Sequence, residues 1–318
     1  MTTETQLSDN RSMEIRGVIA PILTPFNDDQ SVASDLYVAH AKWLFEQGCA
    51  GIAPFGTTGE ALSVGIDERI AAIRALIDGG IDPARMIPGT GLSNVADTAR
   101  LSRACLDMDC AAVMTLPPFY YKGVTEDGLY EYFRQLIATI GSDARIYLYH
   151  IPPIAIVGVP PHLAARLHRE FPEQIVGIKD SSNDWENTRA LLEIDGLTVY
   201  PGSELPLVEA LELGAPGCIT ATANINAGAI AAVVNLYDRG DVTAARQLHE
   251  TAKRFRLLMQ EYAPIPAQKR LLAISTGDSR WANVRPPLTA MSEKTGHELA
   301  AILKRKFDWG VSRKGTRL

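Results

Sequence analysis

Apolar residues along this chain fall into short runs that alternate with longer amphipathic stretches. The runs lie near 17–23, 51–54, 86–90, 111–115, 145–149, 175–179, 197–201 and 217–221. Each is short, and turn-forming residues bound it, as expected of a buried strand. Between them, segments such as Asp35–Gln47, Asp67–Asp78, Val95–Met108 and Glu126–Ile140 place apolar residues at helical spacing. Eight strand–helix units predict an α/β protein with a parallel (β/α)8 barrel over residues 14–240. An open, doubly wound sheet is the competing arrangement, but no GxGxxG follows the first run, which disfavours a dinucleotide-binding half. Helical periodicity continues over 242–262, 265–277 and 293–308, with Pro264, Pro266 and Pro286-Pro287 as punctuation. A C-terminal helical region over 241–318 is therefore expected after the barrel. Residues 1–13 are polar and are expected to form a loose arm.

Composition narrows the partners. A net charge of −6 and a pI near 5.6 leave no electrostatic footprint for nucleic acid. The most apolar stretch, around 205–235, is broken by Glu, Thr and Asn, so no membrane span is expected. Cys49, Cys105, Cys110 and Cys218 form no CxxC and no zinc-like cluster with histidine. With no apolar stretch near the start that resembles a leader, this predicts a reducing, cytoplasmic setting.

Candidate chemistry centres on Lys179, a cation at the end of the apolar run Gln174-Ile175-Val176-Gly177-Ile178-Lys179. A lysine amine attacks a ketone only when neutral, whereas its ordinary pKa is about 10.4. Apolar surroundings that disfavour the ammonium make a Schiff base accessible. The ordinary alternative is a strand-end lysine reaching into water. Two other segments weigh against that alternative. Tyr149 closes the preceding run, one strand-plus-helix unit upstream, so phenol and amine should end side by side on neighbouring parallel strands. Gly56-Thr57-Thr58-Gly59-Glu60 follows the second run and offers small residues and backbone N–H groups to a carboxylate or phosphate. Thr57, Tyr120, Tyr149, Lys179, Gly202 and Ile219 all fall at the C-terminal ends of predicted strands, the rim where barrel enzymes keep their chemistry.

Taken in order, GTTGE at 56–60, Pro118-Phe119-Tyr120-Tyr121, Tyr149-His150-Ile151-Pro152, Gly177-Ile178-Lys179 and Pro201-Gly202-Ser203-Glu204 resemble the dihydrodipicolinate synthase / N-acetylneuraminate lyase family of Schiff-base aldolases. The resemblance covers roughly residues 14 to 310. It implies that Lys179 forms an imine with pyruvate or another 2-oxo acid, with Tyr149 moving protons and Thr57 linking the tyrosines. Thr58 and the turn's N–H groups would hold the substrate carboxylate, and Glu60 would shape the turn. A second tyrosine is borrowed from the neighbouring subunit in this family. Aligning on Pro118 selects Tyr120, aligning on Gly128-Leu129-Tyr130 selects Tyr121, and Tyr120 is preferred because Pro118 is the nearer anchor. A homo-oligomer, a dimer of dimers, is the corresponding expectation. Gly202 and Ile219 would surround the pyruvyl carbon unless they are ordinary strand-end packing. Glu204 would meet sugar hydroxyls or else be a solvated helix-start carboxylate. Neither a metal nor an organic cofactor is expected.

The chain also departs from the pattern. Dihydrodipicolinate synthases follow the Tyr-x-x-Pro motif with a Ser-Arg pair, and here Ile154 stands where that arginine would hold the carboxylate of aspartate semialdehyde. The segment Ala61–Ile66 lacks the polar residues of a lysine-feedback site. The expectation is therefore an aldolase or lyase on a 2-oxo-3-deoxy acid, joining pyruvate to a neutral or hydroxylated aldehyde. Dihydrodipicolinate synthase proper, a dehydratase of such acids and an idle pyruvate-binding protein are the alternatives. A phosphosugar enzyme is disfavoured, because Thr220-Ala221-Thr222-Ala223-Asn224 lacks a Gly-rich phosphate turn.

Overall fold

A computed structural model describes residues 14–310, so the expected N-terminal arm and the last residues of the chain lie outside the described residues. Seven named strands are all parallel: β1 Gly17–Ala20, β2 Gly51–Ile52, β3 Val113–Thr115, β4 Ile146–His150, β5 Ile175–Asp180, β6 Thr198–Pro201 and β7 Gly217–Ile219. They pair in the orders β2-β1-β7 and β3-β4-β5-β6. The expected third strand, 86–90, bridges the two sheets. Ile87 N–H donates to Ile52 O at 3.0 Å and Gly89 N–H to Pro54 O at 2.7 Å on one side. On the other, Thr90 N–H donates to Met114 O at 2.9 Å and Met114 N–H to Pro88 O at 2.8 Å. Pro88 has no N–H to extend the ladder, so the segment survives as isolated bridges rather than a continuous strand. β6 packs beside β7 and closes the ring, a (β/α)8 barrel.

Side-chain alternation separates two cores. Ile19, Ala53, Ile87, Met114, Tyr147, Tyr149, Tyr200 and Ile219 fill the inside of the barrel. Val18, Ala20, Ile52, Val113, Ile146, Leu148, Ile178 and Val199 point out against the surrounding helices. Those helices start where the sequence supplies caps. Asn94 accepts from Asp97 N–H, Thr125 from Gly128 N–H and Asp184 from Glu186 N–H. After the ring, helices Val242–Met259, Pro264–Thr276 and Glu293–Phe307 share a third core with Leu23, Leu36 and Ile225 of the barrel. No helix among the described residues is long and apolar enough to cross a membrane.

Candidate active site

The spacing of Tyr149 and Lys179 has the structural meaning the sequence implied. β4 and β5 pair with Tyr149 directly opposite Lys179 in register. Lys179 Nζ donates to Tyr149 Oη at 3.4 Å and stands 4.4 Å from the centre of the phenol ring. Tyr149 Oη in turn shares a hydrogen bond of 3.2 Å with Thr57 Oγ1. Amine, phenol and hydroxyl thus form one chain, with both strand residues almost wholly buried at 4% and 3% exposure. No carboxylate among the described residues lies within ion-pair distance of Lys179.

The turn that delivers Thr57 is held in an unusual backbone conformation. Phe55 and Glu60 both adopt positive φ, 56° and 55°, one on each side of Gly56-Thr57-Thr58-Gly59. Left-handed conformations at non-glycine residues persist only where the surroundings enforce them. Here Thr24 Oγ1 donates to Gly59 O at 2.7 Å and Glu60 N–H to Thr57 O at 3.2 Å. The Glu60 carboxylate is buried beneath the turn, ion-paired to Lys269, and accepts Arg285 N–H at 3.0 Å. Lys269 also donates to Asn283 O at 2.6 Å. Burial lowers the Lys269 ammonium to about 8, with Glu60 opposing the shift. Glu60 therefore shapes the turn by tying it to the C-terminal helices. Thr58 is half-buried, and its hydroxyl has no partner among the described residues.

Thr57 and Tyr149 line a cavity of about 410 Å³, within the usual range for a small-molecule site. Its walls are mostly apolar and include Met114, Leu116, Phe119, Ile151, Ile154 and Leu288. Ile154 thus lines the same cavity as Thr57 and Tyr149. Ile219 is buried in the barrel interior with Tyr149, as expected of an apolar neighbour. Gly202 lies instead on a separate cavity of about 380 Å³ with Asp180 and Ser181. Its smallness has a packing cause: a Cβ there would sit 2.0 Å from Ser181 Oγ.

Glu204 departs from both expectations, because it is neither solvated nor open to a substrate. It is fully buried, and its two carboxylate oxygens accept the hydroxyls of Thr220 and Thr222. The His249 imidazole donates Nε2–H to the Glu204 carbonyl at 2.6 Å. The spacing Thr220-x-Thr222 directly after β7 is the sequence signal for this pocket. Tyr120 and Tyr121 are not brought to the Lys179 chain within one protomer. They stand 76% and 73% exposed, edge to face with ring centres 5.6 Å apart. Beside the site, burial holds the His150 imidazole below its usual pKa of 6.5 while Asp180 opposes this. His150 Nδ1 accepts Val159 N–H at 2.8 Å.

Comparison with known proteins decides the family. The dihydrodipicolinate synthetase family pattern matches residues 14–306. The chain belongs to this family. It is accordingly an enzyme, a carbon–carbon lyase of the class I, Schiff-base type. An uncharacterized DapA-like lyase of Chloroflexus aurantiacus is 34% identical over 92% of this chain and 97% of its own. The crystal structure of dihydrodipicolinate synthase from Agrobacterium tumefaciens superposes with a TM-score of 0.83 at 32% identity, covering 92% of this chain and 99% of that one. YagE, a prophage protein of the same family from E. coli K12 solved in complex with pyruvate, gives 0.84 at 25% identity over 92% and 98%.

Proposed function

We propose that this protein is a pyruvate-dependent aldolase whose Lys179 forms the imine. The amine adds to the keto carbon of a 2-oxo acid and water leaves, giving a protonated imine. In the cleavage direction the bond between C3 and C4 breaks, its electron pair moves into the iminium as an enamine, and an aldehyde departs. The enamine takes a proton at C3, and hydrolysis of the imine returns pyruvate and the free amine. Tyr149 carries the protons: it protonates the carbinolamine oxygen that leaves as water and takes the proton of the C4 hydroxyl as that carbon becomes the aldehyde. Thr57 passes them on through its shared hydrogen bond. Thr58 and the adjacent backbone N–H groups take the substrate carboxylate, and Ile219 packs beside the pyruvyl carbon.

The observation that carries this reading is the buried Lys179–Tyr149–Thr57 chain, with contacts of 3.4 and 3.2 Å and no carboxylate to neutralise the amine. A second reading, dihydrodipicolinate synthase proper, draws support from the Agrobacterium structure but places Ile154 against the semialdehyde's carboxylate. The exposed Tyr120–Tyr121 pair supports an assembly in which Tyr120 completes the neighbour's relay, as a dimer of dimers. The cysteines at 49, 105, 110 and 218 are free and buried, in keeping with a cytoplasmic enzyme. Borohydride reduction with pyruvate tests the proposal directly. One reduced pyruvyl group per chain should map to Lys179, and an undiminished adduct in Lys179→Ala refutes the assignment.

A further inference from the structure

The cavity that contains Thr57 and Tyr149 has one basic side chain in its lining among the described residues, and it is Lys122. Its ammonium donates to the carbonyls of Phe119 and Ala155, the latter at 3.1 Å. Two backbone carbonyls orient an ammonium without cancelling its charge, and a third N–H remains to be used. No carboxylate lies within ion-pair distance of Lys122 among the described residues. The cavity's one acid, Glu60, is already occupied by Lys269 and Arg285 N–H. Glu204 is sequestered by the hydroxyls of Thr220 and Thr222. Lys122 is solvent-exposed, beside Ala155 and Ile154 in the lining of this apolar cleft, and adds to the Lys179 ammonium behind Tyr149 a second cation that no carboxylate among the described residues neutralises.

We infer that Lys122 determines acceptor specificity by binding a carboxylate at the far end of the substrate. The substrate class is a 2-oxo acid adduct whose non-pyruvate half ends in a carboxylate, with a short apolar or weakly polar middle against Leu116, Ile151 and Ile154. This rests on the imine chemistry proposed above and revises the expectation of a neutral aldehyde. The missing arginine after Tyr149 is answered by a lysine from the loop after β3, so the reader of the carboxylate has moved rather than disappeared. The signal in the sequence was Lys122 itself, directly after the Phe119-Tyr120-Tyr121 run.

The test needs no knowledge of the natural acceptor. Borohydride trapping is measured against concentration for 2-oxoadipate and 2-oxohexanoate, which share the reacting end and differ in a distal carboxylate or methyl. The wild type should reach half-maximal trapping at a concentration at least tenfold lower for 2-oxoadipate, the size of one charge-assisted hydrogen bond. Lys122→Met should erase that ratio and Lys122→Arg should keep it. Taking a ratio on one protein cancels any loss of folding or of imine formation. Equal trapping of the two acids by the wild type, or a ratio that survives in Lys122→Met, overturns the inference. Pyruvate trapping on the same samples separates the two proposals: an adduct at Lys179 with no discrimination sinks the role of Lys122 alone.

Discussion

Two lysines are buried among the described residues, and they differ in what surrounds the ammonium. Lys269 is fully buried against Glu60, Asn283 O and the face of Phe26, 4.3 Å from the ring centre. Lys179 is 4% exposed and has a phenol, an aromatic face and, among the described residues, no carboxylate at ion-pair distance. Burial alone therefore does not mark a nucleophile. A carboxylate at contact distance stabilises the ammonium and makes the lysine part of the architecture. A phenol leaves the amine available and offers it a proton relay. The same fold uses one arrangement to pin the turn that carries Thr57, and the other sets an amine beside that turn for the imine chemistry proposed above.

The largest expected effect breaks the comparison at Lys179. Lys179→Arg keeps a cation in place but cannot form an imine, so turnover should vanish and borohydride should add nothing. Measurable turnover above 1% of wild type would mean that the site works without an imine. Tyr149→Phe keeps the ring and removes the relay, so kcat should fall by about 10²–10⁴, with pyruvate still trapped at Lys179. An unchanged kcat removes Tyr149 from proton transfer.

The pairing of Lys179 with Tyr149 is legible from sequence because strand order and strand ends are local properties. A run of apolar residues ending in lysine, one strand–helix unit after a run ending in tyrosine, fixes both neighbours and their register. The helices Glu126–Ile140 and Val95–Leu106 were equally readable, since their periodicity and caps are local. What escaped depends on contacts across the chain. Lys269 sits in a helix whose periodicity was clear, yet its partner Glu60 lies in the turn after β2, and only packing of the C-terminal helices brings them together. Glu204 reads in sequence as a surface or substrate carboxylate because its partners Thr220 and Thr222 lie a strand away, and only the fold pairs them with it. Residues 86–90 read as a full strand, and the proline within them reduced it to bridges. Lys122 was passed over because a lysine in a polar loop is ordinary until the cavity behind it is seen.

Removing the other lysine should damage stability first. Lys269→Met leaves the Glu60 carboxylate buried with Arg285 N–H as its remaining donor. Deleting one partner of a buried ion pair costs about 3–5 kcal/mol, which urea denaturation would register as a lower midpoint at an unchanged slope. Since Glu60 N–H also closes the turn on Thr57 O, turnover should fall as well, while pyruvate trapping at Lys179 persists. A loss below 1 kcal/mol would show that the pair is not the clamp described, and the contrast between the two lysines would lose its structural half.

The smallest effect extends the comparison to buried imidazoles, which face the same choice between a partner and neutrality. Burial lowers the pKa of His150, with Asp180 opposing, and that of His249, where the bond to the Glu204 carbonyl opposes. Both folded values therefore lie below the ordinary 6.5. Below pH 6.5 the unfolded chain binds protons that the folded protein refuses, so stability is lost as pH falls towards the folded values. Above 6.5 neither state is protonated at these sites, and the contribution is constant. Each histidine adds at most about 1.4 kcal/mol per pH unit within that window. Urea midpoints measured from pH 7.5 down to 5 should fall, and His249→Gln, which can still donate to the Glu204 carbonyl, should flatten the decline without steepening it elsewhere. An identical slope in the variant would mean that His249, with Glu209 3.9 Å from its Nδ1, takes up its proton in the fold as readily as in the open chain, so that burial does not govern its basicity.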